Sequence, residues 1–340
     1  MILPRADAAL GVTAMLCDIK VGLSCNNACV HCIMEPVKKA QKRSGNELDA
    51  DTASLKELIA SAAERGFTHI TLTGGEVTVR PDFPDLVKFA LAQDLNVVIQ
   101  TNGRQLGRPD RRDFLKQVEN PDRIQFVIAL HGPDETIHDA VTRRHGSFQQ
   151  TIRGIESLRN EGFRVCGKLV ISRMNLSGVM ETLSLLKRLN IDECVVAFPH
   201  AEDFSSRIFH QVVPRYDAVA GIINAILAAD AVALPLEISY ETIPYCVVQD
   251  ARFWRSSLDL VFLHERLLRS ETLIEMSMTG ETINWNTARA QIKTKPSDCS
   301  GCLLDHLCEG PWTEYVTHYG VGEFRPVTDQ TLINSFIKAF

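Results

Sequence analysis

The sequence has no uninterrupted apolar stretch long enough to cross a membrane. Its longest apolar region, Ala218 to Leu236, is broken by Asn224, Asp230 and Pro235, so a buried helix is expected there. The N-terminus, Met1-Ile2-Leu3-Pro4-Arg5-Ala6-Asp7, lacks the sustained apolar core of a signal peptide, and the expected setting is cytoplasmic. Positive charge is not in excess. The 36 Lys and Arg stand against 42 Asp and Glu, a net charge of −6 that argues against coating nucleic acid. Internal repeats and low-complexity tracts are also missing. With 45% hydrophobic and 23% charged residues, the chain is of ordinary globular composition. Its 340 residues suffice for one large domain, or a large and a small one.

Cysteine, by contrast, is plentiful. Ten of them without an export signal point to metal or redox chemistry in a reducing compartment, not to a disulfide framework. Cys17, Cys166 and Cys194 sit in strand-like apolar segments and are expected to be buried free thiols. The densest group is Cys25-Asn26-Asn27-Ala28-Cys29-Val30-His31-Cys32. A disulfide between two of its thiols would strand the third. Three convergent thiolates suit zinc or an iron–sulfur cluster instead. Zinc wants a fourth protein ligand, whereas a four-iron cluster held by three cysteines keeps one iron open.

From residue 14 to about 200 the pattern alternates between short apolar strands and longer amphipathic helices. Strands are expected at Ala14–Gly22, His69–Thr73, Asn96–Gln100, Arg123–Leu130, Arg164–Ile171 and Glu193–Phe198. Helices are expected near Ala53–Arg65, Phe83–Gln93, Arg111–Glu119, Ser147–Glu161 and Leu176–Leu189. Ser147 and Gln150 read as a capping box, and Gly66, Gly162 and Asn190 as left-handed helix ends. Six strand–helix units predict a parallel sheet, either an open doubly wound one or a curved partial barrel. In both, reactive groups belong at the C-terminal strand ends. The cysteine loop, Gly74-Gly75-Glu76, Thr101-Asn102-Gly103 and His131-Gly132 follow strands one to four in turn. Beyond residue 200 the alternation stops. A helix is expected over Tyr216–Ala229, a strand over Val232–Ser239, a helix over Ala251–Leu268, and loops over the last fifty residues.

The Cys-x3-Cys-x2-Cys loop after strand one, His31 before its third cysteine, and Gly-Gly-Glu after strand two resemble the radical S-adenosylmethionine (SAM) superfamily. That resemblance implies a (β/α)6 partial TIM barrel, with Cys25, Cys29 and Cys32 on three irons of a [4Fe–4S] cluster. SAM would chelate the fourth iron, and its reductive cleavage would give a 5′-deoxyadenosyl radical that takes hydrogen from substrate. Gly74 and Gly75 are expected to give the backbone a close path to the ligand, and Glu76 to accept from the SAM ammonium group. Thr101 and Asn102 are candidates for SAM or substrate contact, and Arg143 and Arg144 for the SAM carboxylate. Ala129 stands where relatives often have a serine for the ribose. His131 and Lys168 are candidates for catalysis or substrate contact, since a lumen lysine needs an anionic partner.

Cys299, Cys302 and Cys308 resemble the C-terminal extension called SPASM, or its shorter twitch form, with Trp312 where SPASM has a further cysteine. This implies an auxiliary [4Fe–4S] cluster, with Cys246 expected as the fourth ligand; zinc is the competing occupant. The division expected is a radical SAM core over 1–215 and a small loop-rich cluster domain over 216–340. Two substrate classes fit, a peptide or a small metabolite, together with a one-electron donor such as flavodoxin or ferredoxin. Only 24 residues precede Cys25, so a peptide-recognition domain is expected on a separate protein. The rival from another class is a zinc-stabilised binding protein without catalysis.

Overall fold

The structure is a computed structural model and describes residues 16–200, 206–230, 236–258, 272–276 and 280–337. Strict alternation along the strands decides its layers. In β1 (Leu16–Lys20), Cys17 and Ile19 join the main core under the helices, while Asp18 faces the opposite side. The same division runs through β2 (His69–Thr73), β3 (Asn96–Thr101), β4 (Ile124–Ala129), β5 (Arg164–Val170) and β6 (Glu193–Ala197). Ile70, Leu72, Val97, Ile99, Phe126, Ile128, Leu169 and Val196 pack outward. Cys166, Val195 and Ala197 form a separate inner cluster on the lumen side. Both faces being covered is the condition under which a parallel sheet is stable.

The six strands pair in sequence order, all parallel, giving the α/β partial-barrel arrangement that the resemblance implied, one of the two that the pattern left open. The sheet then grows at both edges. β7 (Glu237–Glu241) pairs parallel with β6, and β8 (Thr272–Met276) pairs parallel with β1. β9 (Glu281–Asn284) closes that edge antiparallel to β8. The full order is β7-β6-β5-β4-β3-β2-β1-β8-β9, so strands from beyond residue 215 flank the six-unit centre.

Gly66, Gly162 and Asn190 take the left-handed conformation at helix ends, as expected, with φ of 83°, 84° and 57°. Several boundaries differ from expectation. The predicted helix Arg111–Glu119 is a single turn from Pro109 followed by a 3-10 stretch, in which Leu115 alone is fully buried. Ser147 is the first helical residue of Ser147–Asn160 and not its cap: Asp139 takes that role, accepting from the Gly146 and Phe148 amides at 2.6 and 2.8 Å. Helices Glu35–Arg43 and Glu135–Thr142 had no prediction, and helices Thr313–Tyr319 and Gln330–Ile337 stand where loops were expected. The helix expected over Ala251–Leu268 ends at Arg255, where Leu258 turns to pair with Tyr240; 259–268 lie outside the described residues. Ala14, Met15 and 232–235 also lie outside them.

By length and composition alone, Ile208–Ala229 is apolar enough to span a membrane. Its apolarity has another cause: Phe209, Val213, Tyr216, Val219 and Ile223 are all fully buried in the main core. Pro214 separates the helices Ser206–Val212 and Tyr216–Asp230. The expectation of a buried helix here holds.

Candidate active site

The cysteine loop leaves β1 and is tied down from three sides. Asp49 Oδ1 accepts from the Leu23 and Ser24 amides at 3.1 and 2.9 Å. The Ala28 and Val30 amides donate to the carbonyls of Thr142 and Val141, both at 2.9 Å, at the end of helix Glu135–Thr142. Arg104 reaches the Asn26 carbonyl and bonds Asn27 Oδ1 at 2.8 Å, and Arg144 also reaches the Asn26 carbonyl. So held, Cys25, Cys29 and Cys32 lie near enough for their charges to act on one another. Burial pushes the Cys25 thiol up to about 11 and Cys29 to about 12, and the neighbouring cysteines add to each shift. A pocket that resists thiolate so strongly calls for a compensating cation.

The second strand end is locked to the first through backbone. The Gly75 and Glu76 amides donate to the carbonyls of Gly22 and Ser24, both at 2.7 Å. A Cβ on Gly74 would lie 2.5 Å from the Gly22 carbonyl oxygen, and one on Gly75 would lie 2.2 Å from that of Ser24. The two glycines are therefore demanded by the approach of this turn to the start of the cysteine loop. Glu76 is buried and its carboxylate gathers the third strand end as well. Oε1 accepts from the Thr78 amide (3.1 Å), the Thr78 hydroxyl and the Thr101 hydroxyl (both 2.5 Å), and Oε2 from the Asn102 amide (2.7 Å). Asn102 Nδ2 returns to Asn26 Oδ1 at 2.7 Å. Three successive strand ends thus form one network beneath the cysteines.

His131 is 2% exposed, its ring 4.7 Å from that of His31 and 6.0 Å from that of His138. The Val170 amide donates to His131 Nδ1 at 3.4 Å, and burial, with the other histidines near, holds this imidazole neutral. Lys168 has the anionic partner that its place in the lumen requires: Nζ donates to Glu241 Oε2 at 2.7 Å, across from β5 to β7. Burial opposes both charges, yet each holds the other ionised, with Lys168 above and Glu241 well below its ordinary range. These two line a cavity of about 170 Å³ with His31, Ile33 and His200. Arg143 is exposed at the left-handed end of its helix (φ 53°), and its neighbour Arg144 is the residue bonded to the cysteine loop.

A second thiol set assembles from distant sequence. Cys246, Cys299, Cys302 and Cys308 line one cavity. Burial and the other three cysteines push the Cys246 thiol up to about 12. Backbone amides already aim at two of these sulfurs, Gly310 at Cys308 (3.3 Å) and Val327 at Cys302 (3.4 Å). Trp312 is fully buried, its ring 4.5 Å from His200 of the lumen cavity and 4.7 Å from Lys293 Nζ. Cys17, Cys166 and Cys194 are buried free thiols away from both sets, as expected.

Zinc and a cluster demand different spacings. Four sulfurs about 2.3 Å from one zinc would lie about 3.8 Å from one another. Among the described residues, the group of three metal-ligating side chains gathered within 4.8 Å is Cys29, His31 and His131, and neither cysteine set draws in that far.

The radical SAM superfamily model matches residues 19–196, from β1 to the end of β6. The chain belongs to the radical SAM superfamily. A [4Fe–4S] cluster and SAM are accordingly its cofactors, and it is an enzyme. Mycofactocin maturase MftC of Mycolicibacterium smegmatis is 31% identical over 180 residues, 52% of this chain and 43% of that protein. AdoMet-dependent heme synthase of Nitratidesulfovibrio vulgaris is 30% identical over 186 residues, 55% of this chain and 48% of that protein. The matches therefore span less than half the length of these relatives. In fold, the chain is similar to SuiB of Streptococcus suis, solved with its precursor peptide SuiA. That likeness has a TM-score of 0.63 at 14% identity, covering 94% of this chain and 76% of SuiB. It includes the cysteine-rich C-terminal region.

Arg104, Asp49, Asp139, His200 and Glu241 escaped the sequence reading. Arg104 follows Thr101-Asn102-Gly103 directly and was within reach of it. Glu241 was not, because the strand that carries it lies 73 residues from its partner Lys168.

Proposed function

We propose that this radical SAM enzyme modifies a peptide, forming a cross-link, a thioether or an epimerised centre with the help of an auxiliary [4Fe–4S] cluster. The observation that carries this reading is the convergence of Cys246 with Cys299, Cys302 and Cys308 on one cavity. Cys25, Cys29 and Cys32 are assigned to the first cluster and those four to the second. When bound, the first cluster with SAM supplies a primary carbon radical that removes a hydrogen atom from substrate. The chain's own part is positioning. Glu76, Thr101 and Asn102 fix the turns around the SAM space, and His131 closes it with a neutral ring. Lys168 and Glu241 set paired charges in the lumen cavity, where substrate would enter.

The maturase names of MftC and the peptide bound to SuiB support a peptide substrate. A separate recognition protein and a one-electron donor complete the scheme, in a cytoplasmic setting. A small-molecule substrate is the second reading, favoured by the relatives named as heme synthases. Incubation with SAM, reductant and either a short peptide encoded beside the gene or an iron porphyrin, followed by mass spectrometry, separates the two. A mass change in the peptide supports the first reading; one in the porphyrin alone supports the second.

A further inference from the structure

Among the described residues, the place where three metal-ligating side chains draw within 4.8 Å of one another is Cys29, His31 and His131. Helix Glu135–Thr142 holds both sides of this group. At its C-terminal end the carbonyls of Val141 and Thr142 accept, both at 2.9 Å, from the amides of Val30 and Ala28, which flank Cys29. From its middle His138 Nδ1 accepts from the His131 amide at 3.1 Å, and Asn175 Nδ2 donates to the His131 carbonyl at 3.0 Å. The thiol and the His131 imidazole are therefore presented from fixed backbone. His31 Nδ1 is buried with no hydrogen-bond partner among the described residues. Such an atom is costly unless something comes to meet it. On the His131 ring the described hydrogen bond, from the Val170 amide to Nδ1, is long at 3.4 Å and weak.

We propose that Cys29, His31 and His131 form a zinc site of their own, filled when the first cluster is absent. Two imidazoles and one thiolate are a borderline-soft donor set that suits zinc, with the fourth position left to water. Around one zinc such atoms sit about 3.5 Å apart, so a shift of about an ångström closes the group. His31 also lines the lumen cavity, which gives the ion a way in. As zinc binds, Cys29 gives its thiol proton to solvent and no electron moves. Cys25 and Cys32 stay outside this site. The cluster needs Cys29 with those two and neither histidine, so the two metal groups exclude each other at one sulfur. Zinc on the unloaded chain therefore blocks loading of the first cluster. The zinc site is independent of the radical SAM reading; its competition with the cluster rests on the assignment of Cys25, Cys29 and Cys32.

The test counts zinc bound per chain after chelator-treated, cluster-free protein is dialysed against buffered zinc. Each variant is compared with wild type, so any zinc on the four-thiol set cancels. His131→Ala and Cys29→Ala should each hold about one zinc fewer, and Cys25→Ala as many as wild type. Circular dichroism checks folding, and His31→Ala, altered in the loop and not in the core, should repeat the loss. Reconstitution with iron and sulfide reverses the order. His131→Ala should load iron as wild type does, and Cys25→Ala should take up about four fewer atoms. With zinc added before the iron, wild type should end with about four fewer irons than His131→Ala. Zinc lost in Cys25→Ala but kept in His131→Ala and His31→Ala would overturn the mixed site in favour of the three thiols, and zinc equal in every variant would overturn it too. Equal iron in wild type and His131→Ala after zinc would overturn the competition. Should no chain load iron at all, the cluster assignment fails, and the zinc counts still decide the site.

Discussion

The Asn102 amide donates to Glu76 Oε2 at 2.7 Å, joining the turn after β3 to the turn after β2. The same carboxylate holds Thr78 and Thr101 through its other oxygen. Glu76 thus braces the turns that follow β2 and β3.

Glu76→Gln sets an amide NH₂ against a donor on one side or the other, so part of this network must break. Loss of about 2–4 kcal/mol in stability is expected, from hydrogen bonds to a buried charged group. SAM affinity, measured by calorimetry on the reconstituted protein, should fall about tenfold or more, since both turns shift together. A variant of unchanged stability and affinity would contradict the bracing role.

Cys246→Ala removes one wall of the four-thiol cavity. Iron should drop from about eight to about four atoms per chain if that set holds an auxiliary cluster closed by four cysteines. Iron and sulfide analysis of the reconstituted protein checks this. Retention of all the iron with an unaltered spectrum would exclude Cys246 as a ligand.

Lys168 and Glu241 form a pair with 21% and 12% of their side chains exposed. Lys168→Met leaves a buried carboxylate without its ammonium, and about 3 kcal/mol of stability should be lost. Lys168→Met/Glu241→Leu should recover much of it. Because Glu241 titrates below its unfolded range and Lys168 above its own, the pair stabilises fully between about pH 5 and pH 10. Its contribution fades as acid protonates Glu241. Equal melts for the single and double variants would rule the pairing out.

Much of the fold was legible because its six central strands bury one face under helices and their ends carry polar or glycine-rich turns. What escaped was whatever draws its apolar character from elsewhere. Glu35–Arg43 has no buried face to announce it, and β7 exposes Glu237 while hiding Glu241 in a lumen that local pattern does not reveal. The cap of helix Ser147–Asn160 was misread for a similar reason: Asp139 lies eight residues upstream of Ser147, on another helix. The three-cysteine groups were visible as spacings. Cys246 was identified only as the remaining thiol, since a pairing across 53 residues leaves no local mark.

His138 is fully buried, and burial lowers its imidazole to about 4. Its Nδ1 accepts from the His131 amide at 3.1 Å, a bond that only the unprotonated nitrogen makes. The unfolded chain binds this proton near pH 6.5 and the folded one does not, so stability contributed above 6.5 is lost as pH falls toward 4. The slope is about 1.4 kcal/mol per pH unit. His138→Asn keeps an acceptor and removes the titration, so its stability should fall less steeply over that interval. Parallel pH–stability curves for variant and wild type would contradict this.

The most direct measurement is made on protein purified without oxygen, analysed for metal and then reduced in the presence of SAM. A brown protein with about eight irons that releases 5′-deoxyadenosine, and a Cys29→Ala variant that releases none, is the predicted result. A colourless protein with about two zincs and no cleavage of SAM would contradict the assignment of both thiol sets.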